Sequence, residues 1–178
     1  MFRFFVAQDQ IDEKTGQVVI TGPDVNHIRN VLRMRPGEKI RISNGRDRDY
    51  LCAVTETEED RVRAEILEME ESTELPARIW LFQGLPKSDK MELIIQKAVE
   101  LGVYRIVPVA TRRAVVKLDK KKEEAKRKRW NAISESAAKQ SKRLIIPEVT
   151  EVMNFSQACA LASSFDRNFI PYELAQGM

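Results

Sequence analysis

Lys87-Ser-Asp-Lys-Met-Glu-Leu-Ile-Ile-Gln-Lys-Ala-Val-Glu-Leu-Gly102 is the stretch that decides the fold. Asp89, with Glu92 three residues on, reads as a capping box, and Met91, Ile94, Ile95, Ala98 and Leu101 share one face at helical spacing. Gly102 is placed to stop the helix. Apolar runs flank it, Ile79 to Leu85 and Tyr104 to Ala110, each of strand length. The unit is a β-α-β repeat with parallel strands and a right-handed crossover.

The same alternation continues toward the carboxyl end. A long helix is expected from about Asp119 to Lys142, a strand at Leu144 to Val149, a short helix near Phe155 to Ser163 with Asn154 as its cap, and a last strand at Asn168 to Tyr172. Ahead of this α/β part the pattern is β-rich. Strands are expected at Phe2 to Val6, Gln17 to Ile20, Lys39 to Ser43, Tyr50 to Thr55 and Arg61 to Glu68, with Asn44-Gly45 as a turn. Between the second and third lies a short helix, Asp24 to Arg33, that ends before Pro36-Gly37. The boundary falls at Glu71-Ser-Thr-Glu-Leu-Pro76, dividing the chain into a small β-barrel over residues 1–70 and an α/β unit over 71–178.

Charge separates the halves further. The 178 residues carry a net charge of +3, but through Pro76 there are 11 Lys and Arg against 16 Asp and Glu, and from Ala77 onward 19 against 11. Arg112 to Arg143 alone holds 13 basic and 4 acidic residues. Such asymmetry is the footprint of a phosphate-binding face, because each phosphate neutralised by Lys or Arg releases counterions. For Asp119 to Lys128 taken alone, a salt-bridged solvated helix face explains the run as well.

Several chemistries are excluded. The scattered glycines form no phosphate loop, the single His27 rules out a histidine metal site, and no Ser-His-acid or Cys-His set stands out. His27 reads as structural or RNA-facing rather than as a general base. Cys52 and Cys159 sit in apolar runs and read as buried free thiols of a reducing, cytoplasmic setting. No signal-peptide core or membrane-length apolar run is found. Trp130, in phase with Ile133 and Ala137, reads as core.

Together these residues resemble the RsmE family of small-subunit ribosomal RNA methyltransferases. The likeness runs through His27-Ile-Arg-Asn-Val-Leu-Arg33, Pro86-Lys87 to Met91, Gln96-Lys-Ala-Val-Glu-Leu-Gly-Val103, Pro108 with Thr111-Arg112-Arg113, Arg129-Trp130 with Ile133, Ala137-Ala-Lys-Gln-Ser-Lys-Arg143 with Pro147, and Ile170-Pro-Tyr-Glu173. The resemblance implies a PUA-like barrel that holds RNA and a SPOUT-type α/β domain with a trefoil knot. It also implies a homodimer, no metal, and transfer of methyl from S-adenosylmethionine to N3 of a uridine in small-subunit ribosomal RNA. The family's Gly-Pro-Glu-Gly-Gly loop and Leu-Gly-x-Arg-Ile-Leu-Arg-x-Glu-Thr segment do not occur before Met178. The expectation is therefore about two-thirds of the enzyme, truncated ahead of the knot and inactive alone.

Site expectations follow from strand ends and charge. Arg112 and Arg113, just past a parallel strand, are expected to steady the anion that develops on the uracil. The resemblance places Pro171 and Glu173 beside the methyl donor. His27, Arg29, Arg33, Arg35, Lys87, Arg129, Gln140, Ser141 and Arg143 are expected on RNA, with Arg41, Arg46 and Arg48 extending the barrel's basic patch. Helix-end or surface charge accounts equally well for Lys87, Asp89 and Glu100. Two other readings are a non-catalytic RNA-binding module and an α/β enzyme whose basic strip is a pocket for a small anionic metabolite.

Overall fold

The computed structural model describes residues 1–70, 72–87, 90–112 and 120–171. Asp89, Arg113 and Glu173 lie outside the described residues, as do the ends of the expected helix at Asp119 and strand at Tyr172.

The amino-terminal half is one curled sheet of six strands, a half-barrel: β1 (Arg3–Phe5), β2 (Ile11–Asp12), β3 (Gln17–Thr21), β4 (Lys39–Ser43), β5 (Asp49–Thr57) and β6 (Arg61–Glu70), in the order β1-β4-β5-β6-β3-β2. Only β1 and β4 run parallel. The period-2 pattern does its work here: Val18 and Ile20, Ile40 and Ile42, and Val62 and Ala64 all point into one core with Phe4, Ile28, Tyr50, Cys52 and Val54. Each such aliphatic side chain contributes roughly 1.5–3 kcal/mol by leaving water. Register shifts between Leu51 and Cys52 and between Val54 and Glu56 curl the long β5–β6 pair around that core.

The expected helix after β3 is shorter and looser than its spacing suggests. α1 (Pro23–Asn26) gives way to a π-helical turn at His27–Val31, closed by Leu32 N–H to His27 O at 2.8 Å. Arg33, at φ 52, then reverses the chain.

The carboxyl-terminal half is parallel throughout. β7 (Trp80–Gly84), α2 (Lys90–Glu100), β8 (Arg105–Ala110), α3 (Lys120–Gln140), β9 (Glu148–Val149), β10 (Met153–Asn154) and α4 (Phe155–Ala162) follow in order. β8 is central, with β7 on one side and β9 and β10 on the other. The register grows by one residue between Ile106↔Val149 and Val109↔Met153, so β9 and β10 are one strand interrupted by a bulge. Ile106 and Val149 pack under α2 and α3, whereas Val107, Val109 and Phe82 face α4.

Several expectations are corrected in detail. The buried stripe of α2 is Met91, Ile95 and Val99; Leu101 is 80% exposed because the helix has ended and Gly102 is already turning. Gly102 N–H to Val99 O and Val103 N–H to Ala98 O make a Schellman close. At φ 99 Gly102 leaves no room for a Cβ, which would meet Leu75 Cδ1 at 2.7 Å. Leu144 and Ile145 are not strand, since Glu74 takes their N–H groups at 2.7 and 3.3 Å. Asn168 to Pro171 form no strand either: the Asn168 amide bonds back to Ala162 O at 2.9 Å, holding this segment to the end of α4. Cys159 is exposed, because α4 turns only Ala158 fully inward. Trp130 is core, at 3% exposure.

A buried polar knot joins the two halves. The Arg143 guanidinium grips Glu74 through Nε at 2.9 Å and Nη2 at 2.5 Å, and donates to Val99 O and Val103 O at the end of α2. Its own carbonyl accepts from Arg3 Nη1 at 2.6 Å, and Ser43 Oγ donates to Leu144 O at 2.6 Å. Arg3 also pairs with Asp49. Phe5 of β1 reaches into the second core.

The two carboxylates in this knot behave oppositely. Burial lifts the Asp49 carboxyl above its ordinary range despite Arg3, and Asp49 Oδ1 and Arg3 Nε find no partner among the described residues. Burial also works against the Glu74 anion, but the hydrogen bonds from Arg143 and Leu144 N–H outweigh it and hold Glu74 low. A depressed carboxylate adds stability that is present above its unfolded value near ~4.3 and is lost as pH falls through the lower folded value.

Replacing Glu74 by Gln leaves Arg143 buried without its counter-charge and should cost ~3 kcal/mol at pH 7. Urea unfolding across pH should show this deficit shrinking below pH ~4; equal stability of variant and parent at pH 7 would refute the assignment. Burial also pushes the Cys52 thiol up to about 12. A thiol reagent should therefore label one cysteine of the native protein, Cys159, and the second only on unfolding.

Candidate functional site

Two surfaces gather the residues singled out in the sequence. The first is the carboxyl edge of the parallel sheet, where ligands of such sheets collect. Three strand ends meet there, because Gly84 lies opposite Val109 and Ala110 opposite Asn154. Leu85 N–H bonds to Val109 O at 3.0 Å, and Thr111 lies next to Gly84, its Cγ2 3.7 Å from where a Cβ would stand, an ordinary contact distance. Lys87 and Arg112 leave this edge with exposed side chains.

The second surface spans both halves of the chain. Lys139 of α3 reaches Asp24 of α1 at 3.4 Å and Glu135 at 2.9 Å. Burial opposes the Lys139 ammonium, yet Glu135 and Asp24 outweigh it and hold its pKa above the usual lysine value. The contact seats the π-helical turn beside the end of α3. His27 is exposed and packs edge-on against Phe4, centroids 6.0 Å apart. Arg29, Arg33 and Arg35 are exposed, and among the described residues no carboxylate pairs with them. Arg41 and Arg48 are spent on Glu70 and Glu13, at 2.7 and 3.2 Å, and so leave the expected patch.

The strip on α3 divides. Gln140 is exposed, and Ser141 donates its hydroxyl back to Ala137 O at 2.7 Å while keeping its lone pairs free to accept. Arg129 is exposed but doubly bonded to Glu92, at 2.8 and 2.9 Å. Arg143, expected on RNA, is instead buried, its side chain 9% exposed in the Glu74 pair. The last-turn position that suggested an outward cation also lets a long side chain fold back onto the neighbouring helix end, and that geometry prevails. The linker before Pro76 carries two glutamates, Glu71 and Glu74, and nothing in its sequence marks Glu74 as the partner of Arg143.

Of the two donor contacts drawn from the resemblance, only Pro171 is described. It is exposed, next to Phe169 and Ile170 at 83% and 90% exposure. No group of three or more metal-binding side chains occurs among the described residues.

Comparison with known proteins gives this arrangement its family. Residues 20–67 match an RNA methyltransferase PUA domain and residues 73–178 an RNA methyltransferase domain. A half-barrel of PUA type joined to a parallel α/β unit defines the class of PUA-containing RNA methyltransferase chains. More narrowly, the chain belongs to the ribosomal RNA small subunit methyltransferase E family. It is 39% identical to the member from Bacillus subtilis over 97% of this chain and 68% of that protein. It is 30% identical to the one from Mycobacterium bovis over 82% of this chain, spanning 56% of that relative. The crystal structure of the Neisseria gonorrhoeae member bound to S-adenosylmethionine superposes with a TM-score of 0.74 at 34% identity, covering 89% of this chain and 64% of that one.

The exposed Arg129–Glu92 pair is worth little to the fold. Arg129→Ala should change unfolding stability by no more than ~1 kcal/mol, measured by urea denaturation, so that a large loss of RNA affinity in this variant reports binding. A loss several times larger would make Arg129 a structural residue.

Proposed function

We propose that the chain serves methyl transfer from S-adenosylmethionine to N3 of a uridine in small-subunit ribosomal RNA. Residues 1–70 hold RNA and residues 71–178 belong to a SPOUT-type catalytic unit. The observation that carries this reading is 39% identity along 97% of the chain to a protein named ribosomal RNA small subunit methyltransferase E. The donor-bound Neisseria relative supports S-adenosylmethionine as cofactor. A homodimer working in the cytoplasm belongs to the same reading; among the described residues no helix is long and apolar enough to cross a membrane.

Acceptor chemistry is where the described residues enter. Uridine N3 carries a proton and faces its partner base, so the base must be unpaired or flipped out before N3 is reached. Loss of that proton spreads negative charge over N3 and the two flanking carbonyl oxygens. A guanidinium stays charged at any working pH and can donate to both a carbonyl and the ring edge. Arg112, exposed at the carboxyl edge of β8, is assigned this role together with Arg113, the next residue of the sequence. Lys87 on the same edge, Arg29, Arg33, Arg35, His27, Gln140 and Ser141 on the second surface, and Arg129, paired with Glu92 in the first turn of α2, hold the RNA. Pro171 and Glu173 border the donor.

The test is methyl incorporation from labelled donor into small-subunit RNA that lacks the modification, mapped by reverse-transcriptase arrest, since an N3-methyl blocks base pairing. One arrest site at a uridine is expected, and Arg112→Ala should lower the rate by roughly 10²–10³. Salt-sensitive RNA binding with no donor affinity and no arrest would overturn the catalytic reading in favour of an RNA-binding module.

A further inference from the structure

A cavity of about 460 Å³ opens beside the π-helical turn, lined by Val25, Asn26, Arg29, Asn30, Glu59 and Asp60. Apart from Arg29, its polar lining has no part in the methyl-transfer reading. Val25, 4% exposed, belongs to the barrel core beneath it, and the rim carries a specific hydrogen-bonding pattern. Asn30 Nδ2 donates to Asn26 Oδ1 at 2.7 Å. The two amides are thereby locked head to tail, which leaves Asn26 Nδ2 as a donor and Asn30 Oδ1 as an acceptor on adjacent turns.

A donor beside an acceptor is the complement of a nucleobase edge. The carboxylates decide which base. Asp60 is engaged on both oxygens by Arg61, at 3.1 and 3.0 Å, whereas Glu59 is exposed and has no partner among the described residues. An unpaired carboxylate in the wall repels the carbonyl oxygens of uracil and accepts from an exocyclic amine. Adenine meets every demand: its amine has one hydrogen for Asn30 Oδ1 and one for Glu59, and its ring nitrogen accepts from Asn26 Nδ2. It can do so from either of two edges, N1 or N7, where cytosine has one.

Resting on the RNA reading above, we propose that this cavity seats one unpaired adenine of the RNA, read by the Asn26–Asn30 pair and Glu59. Arg29 meets the adjoining phosphate. A π-helical turn is a rare conformation that recurs at functional sites, and here it immediately follows Asn26 and carries Arg29 and Asn30.

The test uses fluorescence anisotropy with the full chain and two labelled ten-nucleotide RNAs, one all uridine and one with a single central adenosine. The adenosine strand should bind about tenfold tighter, in the range that a good bidentate base contact gives. Asn30→Ala and Glu59→Ala, both at exposed positions, should each bring the adenosine strand down to the uridine strand. Arg29→Ala should weaken both strands alike and reduce the slope of log affinity against log salt by about one. Equal binding of the two strands by the parent protein would overturn the adenine site and leave the RNA reading standing. Failure of both strands to bind at low salt would remove the RNA reading as well. Competition by AMP alone as effective as the adenosine strand would reassign the cavity to a free nucleotide.

Discussion

The ion pair between Glu74 and Arg143 is the constraint on which the rest of the molecule depends. Neither residue belongs to a strand or helix, and yet four structural units end on them. Glu74 takes the N–H groups of Leu144 and Ile145; Arg143 closes α2 through Val99 O and Val103 O and receives Arg3 through its own carbonyl. A helix end needs partners for its last carbonyls, and a positive charge there also meets the negative end of the helix dipole. One guanidinium meets both needs for α2 while neutralising a buried carboxylate. Removing water from two charges is costly unless their remaining hydrogen-bonding capacity is used, and in this pair it is used almost fully. The adjacent Arg3–Asp49 pair is left with Asp49 Oδ1 and Arg3 Nε unmet, so it is the weaker of the two links.

The functional surfaces inherit their geometry from this knot. Fixing Arg143 and Leu144 against Arg3 and Ser43 brings the last turn of α3 to the edge of the half-barrel, where Lys139 finds Asp24. Cations from two halves of opposite net charge thereby come to lie on one face. Arg29, Arg33 and Arg35 belong to the acidic half of the sequence, several of whose carboxylates are occupied elsewhere, Glu70 with Arg41 and Glu13 with Arg48. A net-negative half can therefore present a locally positive surface, which is what matters at distances within a Debye length of ~8–10 Å.

How much of this was legible from residues alone depended on how local the physics was. The alternating strands β4, β5 and β6 and the capped helix α4 follow from side-chain period and one cap, and both were readable; Asn154 does accept from Gln157 N–H. The β-α-β frame was equally plain. What escaped was everything decided by distant partners. Leu144 to Val149 has the composition of a strand but loses most of it because Glu74, 70 residues away, claims its first N–H groups. Arg143 looked like a surface cation because sequence shows charge and spacing but not the neighbouring helix end. The Asn26–Asn30 amide pair escaped the sequence reading, and its meaning rests on Glu59 and Asp60 being folded across from it.

Backbone conformation argues in the same direction as charge. The chain uses glycine at five positive-φ positions among the described residues, yet places Arg33 at φ 52 and Lys142 at φ 59. A left-handed conformation costs a side-chain-bearing residue roughly 1–2 kcal/mol, which glycine would avoid. Both positions terminate helical turns, Lys142 in the geometry where Arg143 N–H bonds back to Ala138 O, so glycine would satisfy the turn itself. Both side chains are exposed, and neither has a carboxylate partner among the described residues, so no contact within the fold offsets the strain. Arg33 closes the π-helical turn and Lys142 follows Gln140 and Ser141, so the strained positions fall on the surface where the two halves meet, the one assigned to the phosphates of RNA.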